Sequence, residues 1–189
     1  VCVVLLHRFV RLQADRHTAD LVVILLAVSP WFLSISSTYL LHTFTAALVL
    51  GAWVLLQKAR EAHSFHVPFL AGALMGWLFL SRPLEGIYMG VLTGLWTLSF
   101  LTDRRQWRTV VMYGLGCISV GILLFVYNAT LTGSPMKLPM TAYLDRFWGP
   151  GANAIGFGPD RGPPDWGNVD VFPGHSPTEA LINLQQSLY

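Results

Sequence analysis

Ser81-Arg82-Pro83-Leu84-Glu85 interrupts an apolar run that extends from Val67 to Leu101. Its reading decides the fold. The flanks, Val67–Leu80 and Gly86–Leu101, have the composition of helices that dissolve in lipid. Proline cannot continue a helix and restricts the residue before it, so the pentapeptide reads as a corner between two helices. An arginine and a carboxylate three residues apart are costly at a membrane boundary. A charge there is by default a hypothesis about function.

Working outward, the whole chain shares this character. Of 189 residues, 53% are hydrophobic and only 12% charged, against about 25% charged in soluble domains. The expected fold class is therefore all-α, a polytopic bundle of transmembrane helices with an irregular extracytoplasmic loop. A spanning helix needs about 20 mostly apolar residues. After a stub at Val1–Leu6, five runs approach this: Leu21–Ile35, Leu40–Leu56, Val67–Leu80, Leu84–Leu101 and Thr109–Tyr127. Pro30 predicts a kink in the first. The chain reads as an internal fragment of a longer protein, divided into a helical part at 1–127 and an outer segment at 128–189. Cys2 and Cys117 lie in apolar runs without a metal-ligand spacing and read as small buried hydrophobes.

Loop charge sets the expected orientation. Arg8, Arg11, Arg16, Lys58, Arg60, Arg104, Arg105 and Arg108 fall in alternate short loops, and Arg82 stands alone in the other short loops. The positive-inside rule puts the eight in the cytoplasm. Arg82, the loop Ser34–Tyr39 and residues 128–189 are then extracytoplasmic. Trp31, Tyr39 and Tyr127 suit the outer aromatic belt and Trp107 the inner one. The spacings Gly72/Gly76 and Gly86/Gly90/Gly94 predict close helix packing.

Residues 128–189 hold eight of the eleven prolines and eight of the seventeen glycines, with several aromatics. This composition predicts an ordered, irregular loop. Gly156-Phe157-Gly158 reads as a tight aromatic turn. Ser176-Pro177-Thr178-Glu179 is a capping-box signature, and Leu181, Leu184 and Leu188 beyond it share one face of an amphipathic helix. Asn128-Ala129-Thr130 fits a glycosylation sequon at the membrane end of a span.

Among polar residues, Arg82 is the first candidate for a site. A guanidinium at the outer surface can grip phosphate through paired hydrogen bonds. It can equally snorkel to lipid headgroups or pair locally with Glu85. Glu85 has the options of orienting Arg82, binding a substrate hydroxyl or balancing charge. His42, one turn into its span, either lines a cavity or is a hydrogen-bonded structural histidine. Tyr39 is an interface anchor or a ligand contact. Lys137, Asp145, Arg146, Asp160 and Arg161 are further candidates, with solvated loop charges as the alternative. No zinc spacing, nucleophile elbow, Walker loop or dinucleotide fingerprint is present, so no metal or cofactor is expected. The basic loops carry no groove-reading pattern, and no nucleic-acid partner is expected.

The order of these features resembles a known family. A span kinked at Ser29-Pro30, a span bearing His42 and a span ending in Ser81–Glu85 are followed by Tyr127-Asn128, Thr132-Gly133-Ser134-Pro135, Leu138-Pro139, Tyr143, Gly156–Gly158 and Gly174-His175-Ser176-Pro177. Across most of its length the chain resembles GT-C membrane glycosyltransferases, in particular dolichyl-phosphate-mannose–protein mannosyltransferases and bacterial aminoarabinose transferases. The resemblance implies an enzyme of the bacterial cytoplasmic (inner) membrane. It would move a sugar from a polyprenyl-phosphate carrier to an acceptor on the extracytoplasmic face. It implies Arg82 as a contact for the carrier phosphate. The catalytic acid of that family belongs to a first outer loop, expected before Val1, so no catalytic residue is carried over. The rival expectation is a non-enzymatic transporter or polysaccharide-export component.

Overall fold

Prolines start helices in this protein. Pro30, Pro83, Pro139 and Pro177 each occupy the first position of one, where the missing amide hydrogen costs nothing and φ is already helical. The computed structural model describes residues 1–38, 41–62, 64–102, 106–151, 156–158 and 176–188. These are all-helical: α1 (Cys2–Arg11), α2 (Arg16–Val28), α3 (Pro30–Ser37), α4 (His42–Ala62), α5 (His66–Ser81), α6 (Pro83–Leu98), a 3-10 turn (Ser99–Thr102), α7 (Trp107–Gly121), α8 (Leu123–Thr132), α9 (Pro139–Trp148) and α10 (Pro177–Leu188). Contacts divide the chain into two units, Val1–Leu124 and Phe125–Tyr189. The sequence had placed that division after residue 127.

Among the described residues, two helices are long and apolar enough to cross a membrane, Pro83–Leu101 and Trp107–Thr132. A third crossing exists if α2 and α3, bent by 61° at their junction, form one span. The five expected runs therefore differ in kind. α4 has 21 residues but carries His42, Gln57, Lys58 and Arg60 within them. It runs through the Lys58–Arg60 stretch, where a loop was expected. α5 has 16 residues, about 24 Å at 1.5 Å per residue, short of a hydrocarbon core of about 30 Å. The last run does not end at Tyr127. Helix continues to Thr132 and stops at Gly133, whose φ of 74° supplies the left-handed residue that ends many helices.

In the first unit α5 is central, packed against α4, α6 and α7, while α1 lies on α2 and α4. Leu48, Val49, Ala52, Leu56, Ala71, Met75, Leu78, Phe100 and Tyr113 form the core. The α5–α7 seam is backbone on backbone. A Cβ on Gly72 would overlap the Tyr113 carbonyl, and one on Gly116 the Phe69 carbonyl. A Cβ on Gly76 would stand 2.6 Å from the Cys117 carbonyl oxygen. In lipid such association rests on close packing, because apolar side chains gain nothing by leaving hydrocarbon. Gly90 and Gly94, expected to serve the same purpose, have no neighbour within 4 Å of a Cβ position. Leu21, Leu25, Trp31, Leu84, Leu95 and Ile118 are each more than half exposed, a surface suited to hydrocarbon and not to water.

The two ends of this unit differ in charge. At one end Gln106 donates through Nε2 to the Arg60 carbonyl at 3.2 Å. There the Arg60 guanidinium lies over the Phe100 ring at 5.2 Å, and that of Arg108 over Phe65 at 5.4 Å. These cation–π contacts hold basic groups beside apolar helix ends. The opposite end carries Arg82.

In the second unit, Asn128 is buried and donates through Nδ2 to the Pro135 carbonyl at 3.0 Å. The sequon asparagine thus stands inside a helix with its amide engaged. α9 was not expected. Lys137 and Asp145 pair at 2.8 Å, and the Gly151 amide donates to Asp145 Oδ1 at 3.0 Å. Ser176 and Glu179 exchange two hydrogen bonds, each 3.1 Å between one residue's amide and the other's side chain. This reciprocal cap opens α10, on which Leu181 and Leu184 are exposed.

Candidate functional site

The corner at Arg82 is built by its neighbours. Ser81 closes α5 by donating its hydroxyl to the Trp77 carbonyl at 2.6 Å. Arg82 then leaves helical geometry, with φ −143° and ψ 85°, as a residue before proline must. Its amide still donates to the Leu78 carbonyl and its carbonyl accepts from the Gly86 amide, both at 2.8 Å. One residue therefore closes one helix and opens the next. The return is tight: a Cβ on Gly86 would overlap the Phe79 backbone. The sequence showed Gly86 as a packing residue, and its partner is the preceding helix of the same corner.

Glu85 stands in the first turn of α6, a favourable place for a carboxylate beside the helix N-terminus. Its Oε1 accepts a short hydrogen bond from Arg82 Nη1. The same Nη1 lies 3.0 Å from His42 Nδ1 on α4. Three of the four candidate residues thus meet at one guanidinium nitrogen. The fourth, Tyr39, lies outside the described residues. Guanidinium has no acceptor, so His42 Nδ1 must accept and its ring proton belongs on Nε2.

Both hydrogens of Nη1 are therefore committed. Among the described residues, no acceptor faces Arg82 Nε or Nη2. Those two nitrogens form the side-on edge of the guanidinium, which matches two oxygens of a phosphate or carboxylate. The Arg82 side chain is 22% exposed and that of Glu85 43%. The ion pair is neutral overall, so any anion must be held by directed hydrogen bonds and not by net charge. No family model, curated protein or solved structure matches this chain.

The loop candidates go elsewhere. Lys137 and Asp145 are spent on each other, Arg146 is exposed in the last turn of α9, and Asp160 and Arg161 lie outside the described residues. Lys137 and the Gly151 amide together hold the Asp145 carboxyl below the usual aspartate range. Among the described residues no three His, Cys, Asp or Glu side chains converge as metal ligands would. Sequence reasoning did not foresee the His42–Arg82 contact. Its signal was the shared end that antiparallel α4 and α5 give to His42 and Arg82.

Proposed function

We propose that this chain is part of a polytopic membrane glycosyltransferase that takes its sugar from a polyprenyl-phosphate carrier, with Arg82 holding the carrier phosphate. The observation that carries this reading is the Nε/Nη2 edge of Arg82, which meets no acceptor among the described residues, with Glu85 and His42 on the other nitrogen. A carrier of this class presents a phosphate at the membrane surface above a long apolar chain. An arginine between two apolar helices fits both parts. As the sugar leaves, charge grows on the phosphate, and a fixed cation stabilises it. The proposed membrane is the bacterial cytoplasmic one, with the Arg82 corner outside and the Arg60–Arg108 end inside, following loop charge. Glu85 and His42 are positioning residues here, and the acid that activates the acceptor is assigned to no residue of this chain.

The test is retention of a polyprenyl phosphate by the full-length protein, followed by sugar transfer. Arg82→Lys keeps the charge and loses the two-pronged edge; Arg82→Ala loses both. The expected result is weaker retention in both variants, with transfer reduced in step. Unchanged transfer in both would remove Arg82 from the site.

One observation favours a second reading, a transporter. The 61° break between α2 and α3 is the kind of discontinuous helix that such proteins place at a binding site. Passage of an unmodified sugar into proteoliposomes, without transfer from a lipid carrier, distinguishes it.

A further inference from the structure

A groove of about 900 Å³ runs along α4 between α1 and α3, over Leu74 of α5. Its walls are Leu5 of α1 and Phe32 of α3, and its floor is Ala47 and Gly51 of α4. Arg8 and Lys58 are among its lining residues, with Lys58 toward one end of the α4 floor and Thr43 at the other. From Thr43 to Lys58, α4 rises about 22 Å. That exceeds the roughly 15 Å of hydrocarbon in one leaflet, half of a ~30 Å core. An acyl chain therefore fits along the floor with its headgroup beside Arg8 and Lys58.

The charge at that end selects the headgroup. Among the residues whose side chains are described, no carboxylate pairs with Arg8 or Lys58. His7, next to Arg8 in sequence, and Arg16 are both taken by Asp20, at 2.9 and 3.6 Å. Two exposed cations at the mouth of an apolar trough match a phosphate joined to hydrocarbon, and a zwitterionic headgroup answers them less well. The volume is at the upper end of the roughly 300–1,000 Å³ usual for lipid- and drug-sized sites. The Lys58 end of the groove lies away from Arg82, since Lys58 stands near the close of the helix that His42 opens.

We propose that this groove binds one anionic glycerophospholipid of the bilayer, with its phosphate between Arg8 and Lys58 and an acyl chain along Ala47 and Gly51. The site is separate from Arg82 and does not depend on the glycosyltransferase reading. The bound lipid fills the space that α1, α3 and α4 leave between them and ties α1 and α3 to the rest of the unit.

The full-length protein in neutral detergent is titrated with phosphatidylglycerol and with phosphatidylcholine, and bound lipid is counted by native mass spectrometry. One retained phosphatidylglycerol is expected, preferred by about 30-fold if each cation contributes as basic residues do at anionic membranes. In the Arg8→Gln/Lys58→Gln variant that preference disappears while phosphatidylcholine binding is unchanged. Ala47→Trp fills the floor and removes both lipids. Arg82→Lys leaves phosphatidylglycerol retention as it was, which separates this site from the carrier site. Equal retention of both lipids by the unmodified protein overturns the proposal. So does a preference that survives loss of both cations, or, in the Arg82→Ala variant, tighter retention of a polyprenyl phosphate than of phosphatidylglycerol.

Discussion

His42 Nδ1 lies 3.0 Å from Arg82 Nη1, joining the start of α4 to the corner between α5 and α6. Because arginine only donates, this contact fixes the imidazole with its proton on Nε2. We expect the ¹⁵N shifts of the neutral His42 ring to report that tautomer. His42→Gln keeps an acceptor and should be nearly silent, whereas His42→Leu should cost about 0.5–1 kcal/mol. That is the low end for a bond to a charged group, because His42 is exposed. Thermal unfolding in detergent reads the difference. Equal loss in both variants would show that the hydrogen bond is not what matters there.

The glycines of α5 and α7 should separate sharply from those of α6. Gly72→Ala and Gly116→Ala drive a methyl into a facing backbone carbonyl, and overpacking of this kind costs about 1–3 kcal/mol. Gly90→Ala and Gly94→Ala meet open space and should be neutral, or stabilising by roughly 0.5–1 kcal/mol through helix propensity. Unfolding of the four variants in mixed micelles tests both halves together.

Asn128 should resist glycosylation. Its amide nitrogen is buried and donates to Pro135, so an oligosaccharyltransferase cannot reach it without opening the end of α8. Expression in glycosylating microsomes should give no glycan at Asn128. Asn128→Ala should cost about 1–2 kcal/mol, the usual penalty for leaving a buried polar partner unmet. Thermal unfolding of that variant measures it.

The Lys137–Asp145–Gly151 cluster should be acid-sensitive. The Asp145 carboxyl titrates below its ordinary value because it accepts from Lys137 and from the Gly151 amide. A lowered folded value means the stabilisation is complete above the ordinary aspartate range, about 3.9. It is lost as pH falls through the lower folded value. Protection of the Gly151 amide, its exchange rate taken relative to the unstructured chain at the same pH, should therefore fall only at acid pH, and Asp145→Ala should lower it throughout.

Local chemistry was the legible part of this protein. The breaks at Ser29-Pro30 and Arg82-Pro83 follow from one residue's geometry, and the reciprocal cap of Ser176 and Glu179 from a four-residue spacing. The end of α8 was equally local but was read from hydropathy. Gly133, with its positive φ, marks it better than the polarity of Asn128 does. α9 shows the same lesson, bracketed by Pro139 at its first position and Gly149 after its last. What could not be read is long-range. Which of nine glycines in the helical part would meet a backbone depends on how α5 and α7 face each other. Gly116 had no spacing partner to flag it. At the site, sequence nominated Arg82, Glu85 and His42 for separate reasons. Only the folded chain brings them to one nitrogen.

The glycine seam also sets the mechanics of the helical unit. Side chains at a helix contact can change rotamer and let one helix slide, but a carbonyl seated on a glycine has no second setting. A shift of one residue along α5 would put Ala71 or Ala73 where Gly72 meets Tyr113. The pair α5–α7 therefore acts as a stator, and Arg82, at the tip of α5, is mounted on it. Whatever slack the unit has lies elsewhere, at the 61° joint of Ser29 and Pro30 between α2 and α3.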